Sequence, residues 1–254
     1  MFSKQVSSFL AGFIILFFIY HFPEFFSSFW LMAICKIGFL LLAFILAKAQ
    51  GWKGLGGYGL SIMPGWACNL TKGIAIGILG FGLSIVFSVF LKFETIISLS
   101  TFNKVLAQIP MLLLMTAIPS LAEDILTRGY LYGHLRNKMK KENWVLLSAV
   151  LFVLNHIWRL NSGMAVLTYL FFLGLLLALA VWQTKSLWLA FGIHWGSNLA
   201  YESSNSFLNI ESLAQHHEDT WILASIWASF FLFLFLYCKR NKMKISNGKT
   251  ANHF

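Results

Sequence analysis

The sequence predicts an all-α protein, a polytopic bundle of about eight transmembrane helices, and three observations carry that prediction. Of its 254 residues, 58% are hydrophobic and only 11% are charged, where a soluble domain carries about 25% charged residues. The apolar residues fall in runs long enough to cross a bilayer core, which takes roughly 20 residues per helix. Lys and Arg gather in the short stretches between those runs, where they set orientation in a membrane protein. No repeat of fixed period and no low-complexity segment divides the chain, so residues 1–254 are expected to form one membrane domain.

The expected spans lie near 8–22, 28–47, 72–92, 105–134, 143–158, 163–182, 186–200 and 220–238. The first follows Lys4 and looks like the apolar part of a signal peptide. It has no small-residue cleavage site before the aromatic stretch 21–30, so a retained span is expected. Between the second and third, residues 50–70 are rich in Gly and carry Trp52, Tyr58, Pro64 and Trp66. Gly and Pro disfavour a regular span and the aromatic residues prefer the headgroup zone, which predicts an interfacial loop. The fifth and seventh spans have only about 15 residues each, short enough to predict tilt or a partial span.

Charge tests this threading, because cytoplasmic loops are enriched in Lys and Arg. With the N-terminus inside, the cytoplasmic set is Lys4, Lys48, Lys53, Lys72, Arg136, Lys138, Lys140, Lys141, Lys185, Lys239, Arg240, Lys242, Lys244 and Lys249. The outer set is only Lys92, Lys104 and Arg159, while Lys36 and Arg128 fall within spans. Both termini are therefore expected on the cytoplasmic side, in a bacterial cytoplasmic membrane. The loop at 201–219 has Glu202, Glu211, Glu218 and Asp219 and no Lys or Arg, which agrees with an outer position. The net charge of +10 is a topology signal spread over loops, not the single basic face of a nucleic-acid-binding protein, so no nucleic-acid partner is expected. The basic tail from Lys239 is expected to anchor the last span. Cys35, Cys68 and Cys238 have no metal-type spacing and are expected to be small buried hydrophobes.

Ionisable residues inside apolar spans each cost about 2.5 kcal/mol or more, so they mark chemistry or buried pairing. The fourth span holds Glu123, Asp124 and Arg128 within two turns. Asp124 and Arg128 are four residues apart and share a helix face, whereas Glu123 points about 100° away and is left to face a cavity. An inert buried ion cluster is the alternative. The fifth span contains Phe152 and His156, and the seventh contains His194 and Asn198, again four apart. A single histidine at such depth is often a packing residue. Two of them, with an acid pair on a third helix, predict a site. His134, Arg136, His216, His217 and His253 lie at span ends or in loops and are expected to be solvated.

The pattern Glu123-Asp124-x-x-x-Arg128, then Phe152-x-x-x-His156, then His194-x-x-x-Asn198 resembles the CPBP intramembrane proteases. These include the type II CAAX prenyl endopeptidases and the bacterial Abi, or bacteriocin-processing, proteins. The resemblance covers roughly 105–200, where the catalytic core is expected. It implies an endopeptidase in which Glu123, helped by His156, activates water, while His194 and Asn198 bind the oxyanion. Asp124, Arg128 and Phe152 would support these groups. The family usually has a second glutamate where this chain has Asp124. If that acid mainly holds Arg128, the shorter side chain should be tolerated.

The resemblance leaves metal open. Glu123, His156 and His194 are the donor types of a catalytic zinc site, but the H-E-x-x-H signature is missing and a cofactor-free mechanism is the expectation. The implied partners are the lipid bilayer and a hydrophobic or lipidated peptide or protein substrate. Two other readings stand beside the protease: a silent membrane scaffold or immunity protein, and an ion-coupled transporter, the latter disfavoured by the lack of matching halves.

Overall fold

The computed structural model describes residues 4–250, with side chains over 6–240. The side chains of Lys4, Lys242, Lys244 and Lys249 lie outside the described residues, as does His253. Every expected apolar run is helical. Helix α1 is Lys4–His21, α2 is Phe29–Ala49, and α3 is Trp66–Phe90. The fourth run is α4 (Phe102–Asp124), a π-helical turn (Ile125–Gly129) and α5 (Tyr130–Leu135) in unbroken succession. The remaining helices are α6 (Lys141–Asn155), α7 (Met164–Thr184), α8 (Trp188–Phe207) and α9 (Glu218–Thr250). Among the described residues, six helical segments are long and apolar enough to cross a membrane, and α6 and α8 are not among them. The 15 residues of α6 rise only about 22 Å, short of the ~30 Å hydrocarbon core.

The surface is that of a protein in lipid. Large apolar side chains such as Ile34, Leu41, Val86, Phe90 and Phe233 point outward, while Glu123, Asp124, Arg128 and His194 are buried among the helices. Chains in hydrocarbon behave this way because only helices satisfy their own backbone there and polar side chains turn to the interior. The chain is an integral membrane protein.

Helices α3 and α8 run parallel and meet backbone to backbone. A methyl group on Gly73 would overlap the carbonyl oxygen of Leu189, and one on Gly77 that of Ile193. From the other side, Gly192 and Gly196 meet Leu70 and Ile74 in the same way. Small residues four apart let membrane helices approach this closely, where packing rather than apolar burial drives association. His194 lies between the two α8 glycines, so this contact fixes its depth and direction.

Two ends of the bundle follow. At one, short strands β1 (Glu94–Leu99) and β2 (Leu208–Ser212) pair antiparallel, Glu94 opposite Ser212, with an irregularity between Ile96 and Ser98. At the other, the 50–70 segment folds over the bundle. It forms a 3-10 turn at Gly54–Tyr58, and the Leu187 N–H donates to the Gly59 carbonyl at 2.9 Å.

Several expectations need correction. The 50–70 segment is shorter than expected, because α3 begins at Trp66 behind Gly65, whose φ of 89° stops the preceding turn. The strands were not expected. The cysteines are not buried as expected: Cys68 is exposed and Cys35 and Cys238 are intermediate. His134 is not solvated either. It packs on Trp52 and Tyr130 at centroid distances of 4.9 and 4.5 Å and sits 3.2 Å from Gln50 Oε1.

Candidate active site

The acids sit where α4 gives way to the π turn. Such turns insert one residue into a helix and occur often at functional sites. Here Glu123 and Asp124 are followed by a fully packed turn that ends in a direct ion pair between Arg128 Nη1 and Asp124 Oδ1. Asp124 Oδ1 also accepts from His194 Nδ1 at 2.9 Å. That carboxylate holds the proton on Nδ1 and turns Nε2 toward Glu123, whose Oε2 lies 3.7 Å away. Asp124 thus orients both the guanidinium and an imidazole, a wider role than its spacing to Arg128 predicts.

His156 approaches the other oxygen of Glu123, with Nδ1 at 3.5 Å from Oε1. It does not lie on the helix, contrary to expectation. Helix α6 ends at Asn155, and His156 leaves helical geometry with φ −87° and ψ 54°. Its Nδ1 stands 2.8 Å from the Phe152 carbonyl, to which it donates, and this side-chain bond takes over an acceptor at the helix end. The Phe152 ring lies between the polar groups, 4.8 Å from the His156 ring, 5.5 Å from His194 and 4.7 Å from the Arg128 guanidinium.

Asn198 is one turn beyond His194 and donates from Nδ2 to Ser120 Oγ at 2.9 Å. Glu123, Phe152, His156, His194 and Asn198 all line one cavity of about 890 Å³. The seven residues singled out in the sequence therefore converge on one place, with Asp124 and Arg128 beneath the cavity floor.

Other residues join them. Asn155 Nδ2 donates to Glu123 Oε1 at 3.1 Å, and its Oδ1 lies 3.0 Å from His21 Nε2. The other nitrogen of His21 is 2.7 Å from Glu24 Oε2, and Glu24 Oε1 accepts from Lys36 at 3.2 Å. Lys36, only 4% exposed, also donates to the Tyr20 carbonyl at 2.9 Å. A polar chain thus runs from α1 and α2 to the Glu123 carboxylate. The signal was present, since His21 and Lys36 are ionisable residues in apolar runs, the same criterion that finds Glu123. Asn155 was hidden by its neighbour His156.

Among the described residues, no group of three His, Cys, Asp or Glu side chains is placed to hold a metal ion. The nitrogen of His156 nearest Glu123 already donates to the Phe152 carbonyl, which leaves it no lone pair for a metal.

No curated protein matches the chain. Residues 105–200, the stretch that carries every motif around the cavity floor, match the model of a protease family, the Rce1-like type II CAAX prenyl endopeptidases.

Proposed function

We propose that the protein is an intramembrane endopeptidase that cleaves a peptide bond of a hydrophobic or lipidated substrate by direct attack of water. The observation that carries this reading is Glu123, 6% exposed, at the inner end of a polar-lined cavity with an imidazole facing each of its oxygens. In this reading Glu123 takes a proton from water as that water attacks the scissile carbonyl, and later gives the proton to the departing amine. His156 helps hold the water and the carboxylate. His194, oriented by Asp124, carries its proton on Nδ1. Before it reaches the amine, the proton taken from water is shared between Glu123 Oε2 and Nε2, 3.7 Å apart, and the Nε2–H meets the developing oxyanion together with the free amide hydrogen of Asn198. Arg128 balances the charge of Asp124 beneath the floor.

The reaction in this form needs no metal. Its test is to incubate detergent-solubilised protein with a peptide library and read the products by mass spectrometry, with and without a chelator. Cleavage at defined bonds that survives chelation is the expected result. No cleavage, as from a silent scaffold or a transporter, contradicts the peptidase reading. Cleavage abolished by chelation and restored by zinc contradicts the metal-free one.

A further inference from the structure

Resting on that peptidase reading, we infer that the substrate is a polypeptide segment reaching the cavity from the extracytoplasmic side of the membrane, not from the cytosol. The cavity has a direction. From Glu123 and His194 its lining passes Asn198 and Tyr201 to Asn205 and Ser212, beside the paired strands, and Asp219 and Arg159 stand at the same mouth. Asn205 and Ser212 are exposed there.

The opposite end is closed. Directly below the acids, Ile125, Leu126, Arg128, Tyr130 and Leu131 are fully buried. The folded 50–70 segment is tied across them: Tyr58 Oη donates to Gln50 Oε1 at 2.9 Å, and Gln50 Nε2 donates to Tyr130 Oη at 3.1 Å. A second cavity at this end is lined by Tyr132, Arg136 and Lys185 and includes none of the candidate catalytic groups.

Charge says which end is which. The closed end has Lys48, Lys53, Lys72, Arg136, Lys138, Lys140, Lys141 and Lys185 on or beside its loops, and the open end has Lys92, Lys104 and Arg159. Basic loops stay in the cytoplasm. The open end therefore faces outward, and a cytosolic chain has no path to Glu123.

Cysteine accessibility tests this directly. Ser212→Cys, Asn205→Cys and Asn137→Cys are introduced singly after Cys35, Cys68 and Cys238 are replaced by Ser, and intact cells are treated with a membrane-impermeant maleimide. Positions 205 and 212 should be labelled at once and position 137 only after permeabilisation. The reverse pattern, or labelling of 205 and 212 only after permeabilisation, overturns the inference. In a second arm, a quenched fluorescent peptide that the purified protein cleaves is added to right-side-out vesicles. Hydrolysis without permeabilisation is expected, and hydrolysis only after it overturns the assignment. A protein that labels as expected yet cleaves nothing in detergent overturns the peptidase reading and not the direction of the opening.

Discussion

Glu123 is held by its neighbours, not merely buried. Asn155 donates to Oε1, His156 faces the same oxygen and His194 faces Oε2, so the carboxylate has one fixed orientation before any substrate arrives. Preorganisation of this kind matters most in the transition state, when a bond already aimed need not be found. Asn155→Ala should therefore lower kcat by roughly ten- to a hundredfold, from the loss of about 1–3 kcal/mol of hydrogen bonding to a charged group, and leave KM little changed. Steady-state kinetics on a cleavable peptide checks the split. At this scale the sequence was most legible where a helical period applied. The four-residue spacing brought Asp124 to Arg128 as expected, whereas the bonds from Asp124 to His194 and from Asn155 to His21 join residues 70 and 134 positions apart. No local period reports contacts of that separation.

At the scale of elements, the depth of His194 depends on the contact of α3 with α8. Gly77→Val would force those backbones apart, and overpacking of this kind costs typically about 1–3 kcal/mol. The variant should melt at a lower temperature in detergent and lose peptidase activity, whereas substitution at Gly82, where a methyl group meets nothing within 4 Å, should change neither. The outer rim offers a pH test. Burial, and after it Asp219, raises the Glu94 carboxyl above its usual range. An acid shifted upward stabilises the fold while protonated, and that contribution is lost as pH rises through the raised value. Glu94→Gln should thus raise the melting temperature at neutral pH, with the advantage vanishing on acidification. A thermal scan at several pH values decides it. The helices themselves were legible, because length and hydropathy are local properties that a bilayer makes obligatory. The strands were not, because Glu94–Leu99 finds its partner more than a hundred residues later.

For the whole molecule, the family match covers 105–200, but the arrangement around Glu123 draws on more of the chain. Helices α1 and α2 supply His21 and Lys36, and the 3-10 turn Phe22–Phe25 between them supplies Glu24, to the network behind Asn155, while α9 supplies Asp219, Thr220 and Trp227 to the cavity wall. A matched core with outer helices that complete the site is the arrangement expected of one unit spanning the membrane, open toward one face and sealed toward the other. In the proposed mechanism the Glu123 carboxylate activates the water that cuts the peptide. The most direct test compares wild-type protein with Glu123→Gln, both reconstituted in liposomes and matched for melting temperature, on the same cleavable peptide. A fall in kcat of roughly a hundredfold or more is expected for loss of a general base, and undiminished turnover by the glutamine variant would contradict the account.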